Sequence, residues 1–78
     1  MKAILYTKQD CQKCEYVKER IFPGVVEIRD ITDAQAHRKE LIRNGLIEIV
    51  QKTMPVLLID GEIVTSAAHI VSRINEIA

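Results

Sequence analysis

Aromatic residues and net charge are both scarce in this chain. Of its 78 residues none is Trp, one is Phe and two are Tyr, so the stacking surfaces that bind bases or sugars are nearly absent. Lys plus Arg and Asp plus Glu number 11 each, which gives a formal net charge of zero. This balance argues against a nucleic acid or an anionic membrane as a partner recognised through bulk charge.

Long hydrophobic runs are also missing, and none approaches the roughly 18 residues that a membrane span needs. Residues 1–5 begin like a signal peptide, but the apolar run stops at residues 6–8 and no cleavage site follows. Apolar residues make up 47% of the chain and charged residues 28%, which is the balance of a globular protein. We therefore expect one small domain over residues 1–78, without a membrane partner.

Cysteine is limited to Cys11 and Cys14. Small secreted domains usually carry several disulfides across long loops, whereas a bridge between these two residues closes one short turn and is worth about 2 kcal/mol in the chain-entropy model. The pair is a poor structural staple, and the expected compartment is a reducing cytoplasm. A zinc site within the chain would also need His37 and His69. Their separation does not fit a zinc finger, and both are expected at helix surfaces or boundaries.

Hydrophobic runs and turn residues predict four strands. These are expected over residues 2–6, 25–29, 56–59 and 62–64. Asp60-Gly61 is a strong signal for a two-residue hairpin turn between the last two strands. Residues 46–51 fit either a helical turn or an alternating strand, and a short helix is favoured.

Helical periodicity predicts three longer helices. The first follows Asp10 and ends at residues 22–24, where Pro23 cannot continue it. Its buried face should comprise Cys14, Val17 and Ile21.

The second and last helices carry capping signals. Thr32 is expected to begin the second helix in a capping box with Gln35, and Asn44-Gly45 to end it. Its inward residues should be Ala34, His37, Leu41 and Ile42. Ser66 is expected to cap the last helix. The inner stripe of that helix should comprise Ala67, Ile70, Val71, Ile74 and Ile77.

The resulting element order is β-α-β-α-β-β-α. It predicts an α/β fold in which a four-stranded mixed sheet is flanked by helices. The first two strands, which a helix joins, should be parallel, and the hairpin should add an antiparallel pair.

Residues 10–14 (DCQKC) lie where a strand turns into a helix. Unpaired backbone N–H groups and the positive end of the helix dipole favour an anion there, so a thiolate at Cys11 is stabilised. Lys8 and Lys13 would lower the pKa of this thiol further, and Asp10 would oppose them. Cys11 is therefore the candidate nucleophile of a redox-active pair, and Cys14, one turn further along, is the candidate resolving thiol.

Residues 52–55 (KTMP) immediately precede the apolar strand at 56–59. Pro55 is compatible with a plain strand start in trans, because no ladder N–H is lost there. In the alternative, a cis Pro55 leaves the backbone N–H and C=O of Met54 available to an extended peptide beside the cysteines. The cysteine pair and the element order favour the cis form and place Met54 at the site rather than in the core.

Taken together, these segments resemble the glutaredoxin type of small thioredoxin-fold protein, over nearly the whole chain. Residues 6–14 (YTKQDCQKC) are similar to the glutaredoxin active-site segment, and residues 53–55 (TMP) are similar to its Thr-Val-Pro segment. The resemblance implies a thioredoxin-like fold and the activity of a thiol–disulfide oxidoreductase of the electron-carrier type. It implies Cys11 as nucleophile, Cys14 as resolving thiol and Pro55 as the cis proline. The ligand contacts that it implies are Lys8, Thr53 and Met54.

The chain departs from the glutaredoxin pattern at two places. Gln12 and Lys13 stand where glutaredoxins usually have Pro-Tyr, and residues 65–69 (TSAAH) stand where they show Gly-Gly, a small residue and Asp-Asp. Backbone N–H groups at a helix start can hold a carboxylate. The candidate substrate contacts at these departures are Gln12, Lys13, Thr65 and Ser66. Ala68, however, has no carboxylate to pair with the amino group of glutathione.

The departures bear on the electron donor. NrdH-type redoxins resemble glutaredoxins but are reduced by thioredoxin reductase, although this chain lacks their Trp-Ser-Gly-Phe stretch. We expect a monomer that acts on a disulfide-containing protein, binds no resident cofactor and is reduced by a thioredoxin-reductase-type flavoprotein. Glutathione is the alternative cosubstrate.

A function of another class is a redox or metal-binding module without turnover. In this alternative, two chains each offer Cys11 to a shared iron–sulfur cluster, and external thiols fill the remaining positions. Anaerobic expression followed by absorbance and iron analysis separates the two functions, since a colourless, iron-free monomer would count heavily against the cluster.

Overall fold

The computed structural model describes residues 3–78, so Lys2, the expected first residue of the opening strand, lies outside the described residues. The strands are β1 Ala3–Thr7, β2 Glu27–Asp30, β3 Val56–Ile59 and β4 Glu62–Val64. The helices are α1 Gln12–Arg20, α2 Arg38–Arg43, α3 Ile49–Lys52 and α4 Ala67–Glu76. The expected element order is therefore one helix short. The short helix favoured for the ambiguous segment at 46–51 is present as α3, which begins at Ile49 after a turn at residues 47–48.

The strands form one mixed sheet in the order β2-β1-β3-β4. β1 pairs in parallel with β2, with Leu5 opposite Ile28, and antiparallel with β3, with Leu5 opposite Leu57. β4 pairs antiparallel with β3. The expectation of an α/β fold with a four-stranded mixed sheet flanked by helices is confirmed. None of the helices within residues 3–78 is long and apolar enough to cross a membrane.

Both faces of the sheet are covered by a core cluster. Alternate side chains of β1 and β3 point to opposite sides of the sheet, so each strand contributes residues to both clusters. The first core cluster comprises Ile4, Tyr6, Cys14, Ile31, Leu41, Leu46, Met54 and Val56. The second core cluster comprises Leu5, Val17, Ile21, Leu57, Ile59, Val64, Ile70 and Ile74. The central strands are thus buried on two sides, which accounts for their continuous apolar sequences.

Helices α1 and α4 bury the faces that their periodicity predicts. Cys14, Val17 and Ile21 of the first helical segment are buried, and the helix ends at Arg20 as the following Pro23 requires. The predicted stripe of α4 belongs to or packs against the second core cluster. Ser66 occupies the N-cap position of α4, but its side chain makes no capping hydrogen bond, so that part of the prediction is wrong.

The hairpin turn between β3 and β4 is confirmed. Asp60 and Gly61 have φ angles of 48° and 84°, so both lie in the left-handed region that a type I′ turn requires. This turn sets the register in which Ile59 faces Glu62.

We expect Gly61→Ala to lower the free energy of unfolding by about 1 kcal/mol. An added Cβ would meet nothing within 4 Å, so the loss would come from the left-handed backbone alone. Gly61→Asn is the matched control, because Asn tolerates this region better than Ala. Urea unfolding of the three proteins tests the expectation, which is contradicted if Ala costs nothing or if Asn costs as much as Ala.

Strand β2 begins at Glu27, two positions later than the expected start at Val25. The side chains of Val25 and Val26 both pack against the second core cluster. Consecutive residues of a strand point to opposite faces, so this packing is incompatible with an extended start at Val25.

Helix α2 begins at Arg38, and the expected capping box at Thr32 is wrong. The Thr32 hydroxyl accepts the N–H of Gln9 at 2.8 Å and donates to Asp30 at 2.5 Å. The oxygen is therefore occupied by partners outside the segment that it was expected to cap. Residues 33–37 instead form successive turns.

The face of α2 also differs from the expectation. Leu41 is fully buried and His37 is half-buried, as expected, but Ala34 and Ile42 are exposed. The predicted stop at Asn44-Gly45 is confirmed. Gly45 has a φ of 72°, and the N–H groups of Gly45 and Leu46 donate to the carbonyls of Ile42 and Leu41 at 3.1 and 2.7 Å, which is a Schellman motif.

Candidate active site

Cys11 is the N-cap residue of α1. Its backbone is extended, with φ −118° and ψ 105°, and its sulfur accepts the backbone N–H of Cys14 at 3.2 Å. Its carbonyl accepts the N–H of Glu15 at 3.1 Å. The sulfur therefore occupies the place of a capping oxygen, where a backbone donor and the positive end of the helix dipole both favour a thiolate.

The two cysteines lie close together in different environments. Their Cα atoms are 5.2 Å apart and their sulfurs are at disulfide distance. Cys14 is fully buried in the first core cluster, whereas Cys11 is partly exposed and packs against that cluster. An external sulfur can therefore approach Cys11 but not Cys14, which matches the roles expected of a nucleophile and a resolving thiol.

Three of the candidate contact residues surround Cys11 in sequence and are exposed: Lys8, Gln12 and Lys13. Gln12 and Lys13 are the first two residues of α1. Lys8 belongs to the loop between β1 and α1. In this loop the backbone changes direction at Asp10, which has a φ of 56°.

The segment at 53–55 lies beside the same core cluster. The Met54–Pro55 peptide bond is cis, the form that the sequence favours. Met54 was expected at the site rather than in the core, and its exclusion from the core is wrong, because its side chain is only 7% exposed and belongs to the first core cluster, against which Cys11 packs. Thr53 is half-buried and Pro55 is buried.

The N-terminus of α4 meets the first turn of α1. One groove between them, called the α1–α4 groove below, is lined by Gln12, Lys13, Tyr16, Ala67 and Ala68. Thr65 and Ser66 are exposed just before α4 and do not line this groove. Position 68 therefore lies in one groove with Gln12, which follows the cysteine that is partly exposed.

A second groove runs along the exposed side of α1. It is lined by Asp10, Cys11, Gln12, Glu15, Tyr16, Glu19 and Arg20. The Arg20 guanidinium stacks on the Tyr16 ring at 3.8 Å from the ring centroid, and Tyr16 remains 42% exposed. The contact between Tyr16 and Arg20 was not predicted, although an aromatic and a cation four residues apart on a helix are spaced to meet.

A polar network joins β1 to β2 and α2 just before the cysteine loop. The Tyr6 hydroxyl donates to Oε2 of Glu40 at 2.6 Å, and Arg29 Nη1 lies 2.5 Å from the same oxygen. Arg29 also pairs with Glu27, and Asn44 donates to the Tyr6 hydroxyl. Burial and the hydrogen bond to Glu40 raise the pKa of Tyr6 to about 12. Burial opposes ionisation of Glu40, but the hydrogen bonds from Tyr6 and Arg29 hold the pKa of this carboxyl below its ordinary value.

We expect Glu40→Gln to reduce the loss of free energy of unfolding that the wild-type protein shows as the pH falls into the acid range. Because the pKa of Glu40 is lowered in the folded state, its contribution to the free energy of unfolding is present above the ordinary carboxyl value of 4.5 and is lost as pH falls through the folded value. Urea unfolding of both proteins between about pH 6 and pH 3 measures this. Tyr6→Phe, which keeps the Arg29 pair, should retain part of the pH dependence. Parallel profiles for wild type and Glu40→Gln would contradict the assignment.

No protein-family model, no curated protein and no solved structure matches this chain. Within residues 3–78, no group of three or more His, Cys, Asp or Glu side chains is placed to hold a metal ion. The cysteine pair at the start of α1 is the chemistry that the described part of the chain presents most clearly.

Proposed function

We propose that this protein is a thiol–disulfide oxidoreductase with a redox-active Cys11–Cys14 pair, on a thioredoxin-like fold of the glutaredoxin type. The observation that carries the proposal is the position of Cys11 at the N-cap of α1. There its sulfur accepts the Cys14 N–H and stays partly exposed, while Cys14 is buried beside it. The four-stranded mixed sheet and the cis peptide before Pro55 support the same proposal.

The proposed reaction transfers two electrons from the dithiol to a substrate disulfide. The Cys11 thiolate attacks one sulfur of that disulfide, forms a mixed disulfide and expels the other sulfur as a thiolate, which takes up a proton. Cys14 then loses its proton and attacks the Cys11 sulfur. This second step releases the remaining substrate thiolate, which is protonated in turn, and leaves the Cys11–Cys14 disulfide for an external reductant to reopen.

The proposed substrate is a disulfide-containing protein that binds around the partly exposed Cys11. The chain itself is proposed to be a monomer. An extended peptide would meet the backbone of Met54 beside Thr53 and Pro55, as in other strand-addition contacts. The polar groups proposed to surround it are Lys8, Gln12, Lys13, Thr65 and Ser66. We propose a thioredoxin-reductase-type flavoprotein as the electron donor rather than glutathione. Ala68 has no carboxylate to pair with the ammonium group of glutathione, so glutathione should bind weakly.

Insulin reduction with dithiothreitol as electron source tests the proposal directly. We expect the wild-type chain to accelerate the precipitation of reduced insulin over dithiothreitol alone, in proportion to chain concentration. Thiol counting before and after oxidation should show two thiols lost per chain, with the disulfide mapped to Cys11 and Cys14 by mass spectrometry. A chain that forms this disulfide but does not accelerate insulin reduction would contradict turnover.

A further inference from the structure

The loop that carries Cys11 is tied to the end of β2 at two places. The N–H of Ile31 donates to the carbonyl of Thr7 at 2.8 Å. Gln9, two residues after Thr7, donates its N–H to the hydroxyl oxygen of Thr32, the residue after Ile31, also at 2.8 Å. The loop between β1 and α1 is thus held before and after Lys8.

Asp30 holds the Thr32 hydroxyl in place. Its Oδ1 accepts both the hydroxyl of Thr32 at 2.5 Å and the backbone N–H of Thr32 at 2.8 Å. These two hydrogen bonds also keep the pKa of the Asp30 carboxyl below its ordinary value, so the acceptor is charged at neutral pH. Because the hydroxyl hydrogen is committed to Asp30, a lone pair of Thr32 faces the Gln9 N–H.

The tie at Gln9 acts on the residue that precedes the nucleophile. Asp10 has a φ of 56°, a left-handed conformation that Asp adopts more readily than most residues but that still costs free energy and is kept when its neighbours favour it. Cys11 follows at once with an extended backbone and a sulfur bonded to the Cys14 N–H. If the Gln9 tie were released, Asp10 could relax toward a commoner conformation, and the Cys11 sulfur would lose its alignment with that donor.

We propose that Thr32, held by Asp30, is a positioning residue for Cys11: its hydroxyl fixes Gln9 and thereby the loop conformation in which the Cys11 sulfur meets the start of α1. The reductase consequence of this inference rests on the proposed function. The reactivity of the Cys11 thiol does not, because alkylation of a thiolate needs no turnover.

The test replaces the hydroxyl with a methyl group in Thr32→Val and restores it in Thr32→Ser. In the reduced full chain, iodoacetamide alkylation of Cys11 is followed against pH, with the modified residue assigned by mass spectrometry. We expect Thr32→Val to shift the pH midpoint upward and to slow alkylation near pH 7 roughly tenfold, as the loss of about one hydrogen bond implies. Thr32→Ser should restore the wild-type profile. The exchange of the Gln9 amide hydrogen should also speed up in Thr32→Val alone.

Ser72→Ala is the control for loss of an exposed hydroxyl elsewhere, on α4. It should leave the alkylation profile and the insulin assay unchanged, whereas Thr32→Val should lower kcat/KM for insulin with an unfolding midpoint near that of wild type. A wild-type alkylation profile in Thr32→Val would overturn the inference, as would Thr32→Ser being as impaired as Thr32→Val. If wild type reduces no insulin but the alkylation shift is seen, the proposed function fails and the positioning role stands.

Discussion

Replacing Cys11 with Ser should lower disulfide reduction by roughly three orders of magnitude or more, as the loss of a nucleophile does in other covalent mechanisms. A serine hydroxyl at the N-cap of α1 can still accept the Cys14 N–H, but it does not ionise near neutral pH. The fold should therefore survive while the attack on the substrate sulfur is lost. Insulin reduction with dithiothreitol measures the loss, and urea unfolding shows that the variant is folded.

Cys14→Ser should give a different defect, which makes it the matched partner of the first variant. Cys11 remains able to attack, but no neighbouring thiol resolves the product, so the mixed disulfide between the chain and its substrate should accumulate. Non-reducing electrophoresis and mass spectrometry after incubation with insulin would detect this species through Cys11. We would abandon the mechanism if Cys11→Ser kept dithiol-dependent insulin reduction, or if the two variants trapped equal amounts of the adduct.

Introducing an acid at position 68 should raise glutathione-dependent turnover roughly 10- to 150-fold. That range corresponds to one charge-assisted hydrogen bond of about 1.5 to 3 kcal/mol to the ammonium group of glutathione. Ala68 is exposed in the first turn of α4 and lines the α1–α4 groove with Gln12. An Asp there would face the groove and would also be favoured by the dipole of α4.

The experiment reduces the oxidised chain side by side with glutathione and with NADPH plus thioredoxin reductase. We expect the wild type to be slow with glutathione and faster with the flavoprotein, and Ala68→Asp to gain with glutathione only. Ala34→Asp makes the same chemical change at an exposed residue that lines neither of the grooves beside α1, so it should change neither rate. Efficient reduction of wild type by glutathione, or no gain in Ala68→Asp, would contradict the prediction.

Features that depend on neighbouring residues were predicted well. The spacing of Cys11 and Cys14 at the start of a helix, the Asp60-Gly61 turn and the stop at Gly45 are each decided within a few residues, by hydrogen bonds and φ angles that the local sequence allows. The stripe of α4 is likewise set by its own periodicity. The candidate nucleophile and its candidate resolving partner could therefore be identified from the sequence. The mixed sheet was also predicted, from the order of the elements along the chain.

Two of the features that were predicted wrongly, at Thr32 and at Met54, depend on partners far along the chain. The sequence around Thr32 has the pattern of a helix cap, but the Thr32 hydroxyl accepts a hydrogen bond from the N–H of Gln9, 23 positions earlier. The parallel pairing of β1 and β2 brings the two segments together. Met54 was expected outside the core, yet its side chain belongs to the first core cluster once β3 lies beside β1. The bond between Tyr6 and Glu40 spans 34 positions and carries no local signal.

The sequence by itself determined which atoms can do the chemistry: two thiols one helical turn apart, the first at the positive end of a helix. Only the tertiary structure decided how those atoms are presented. It buries Cys14 and leaves Cys11 partly exposed, places Ala68 in a groove beside Gln12 and ties the loop before Cys11 to Thr32. The reason is physical, because the dipole at a helix start is a local property, whereas burial and hydrogen-bond partners follow from which strands pair.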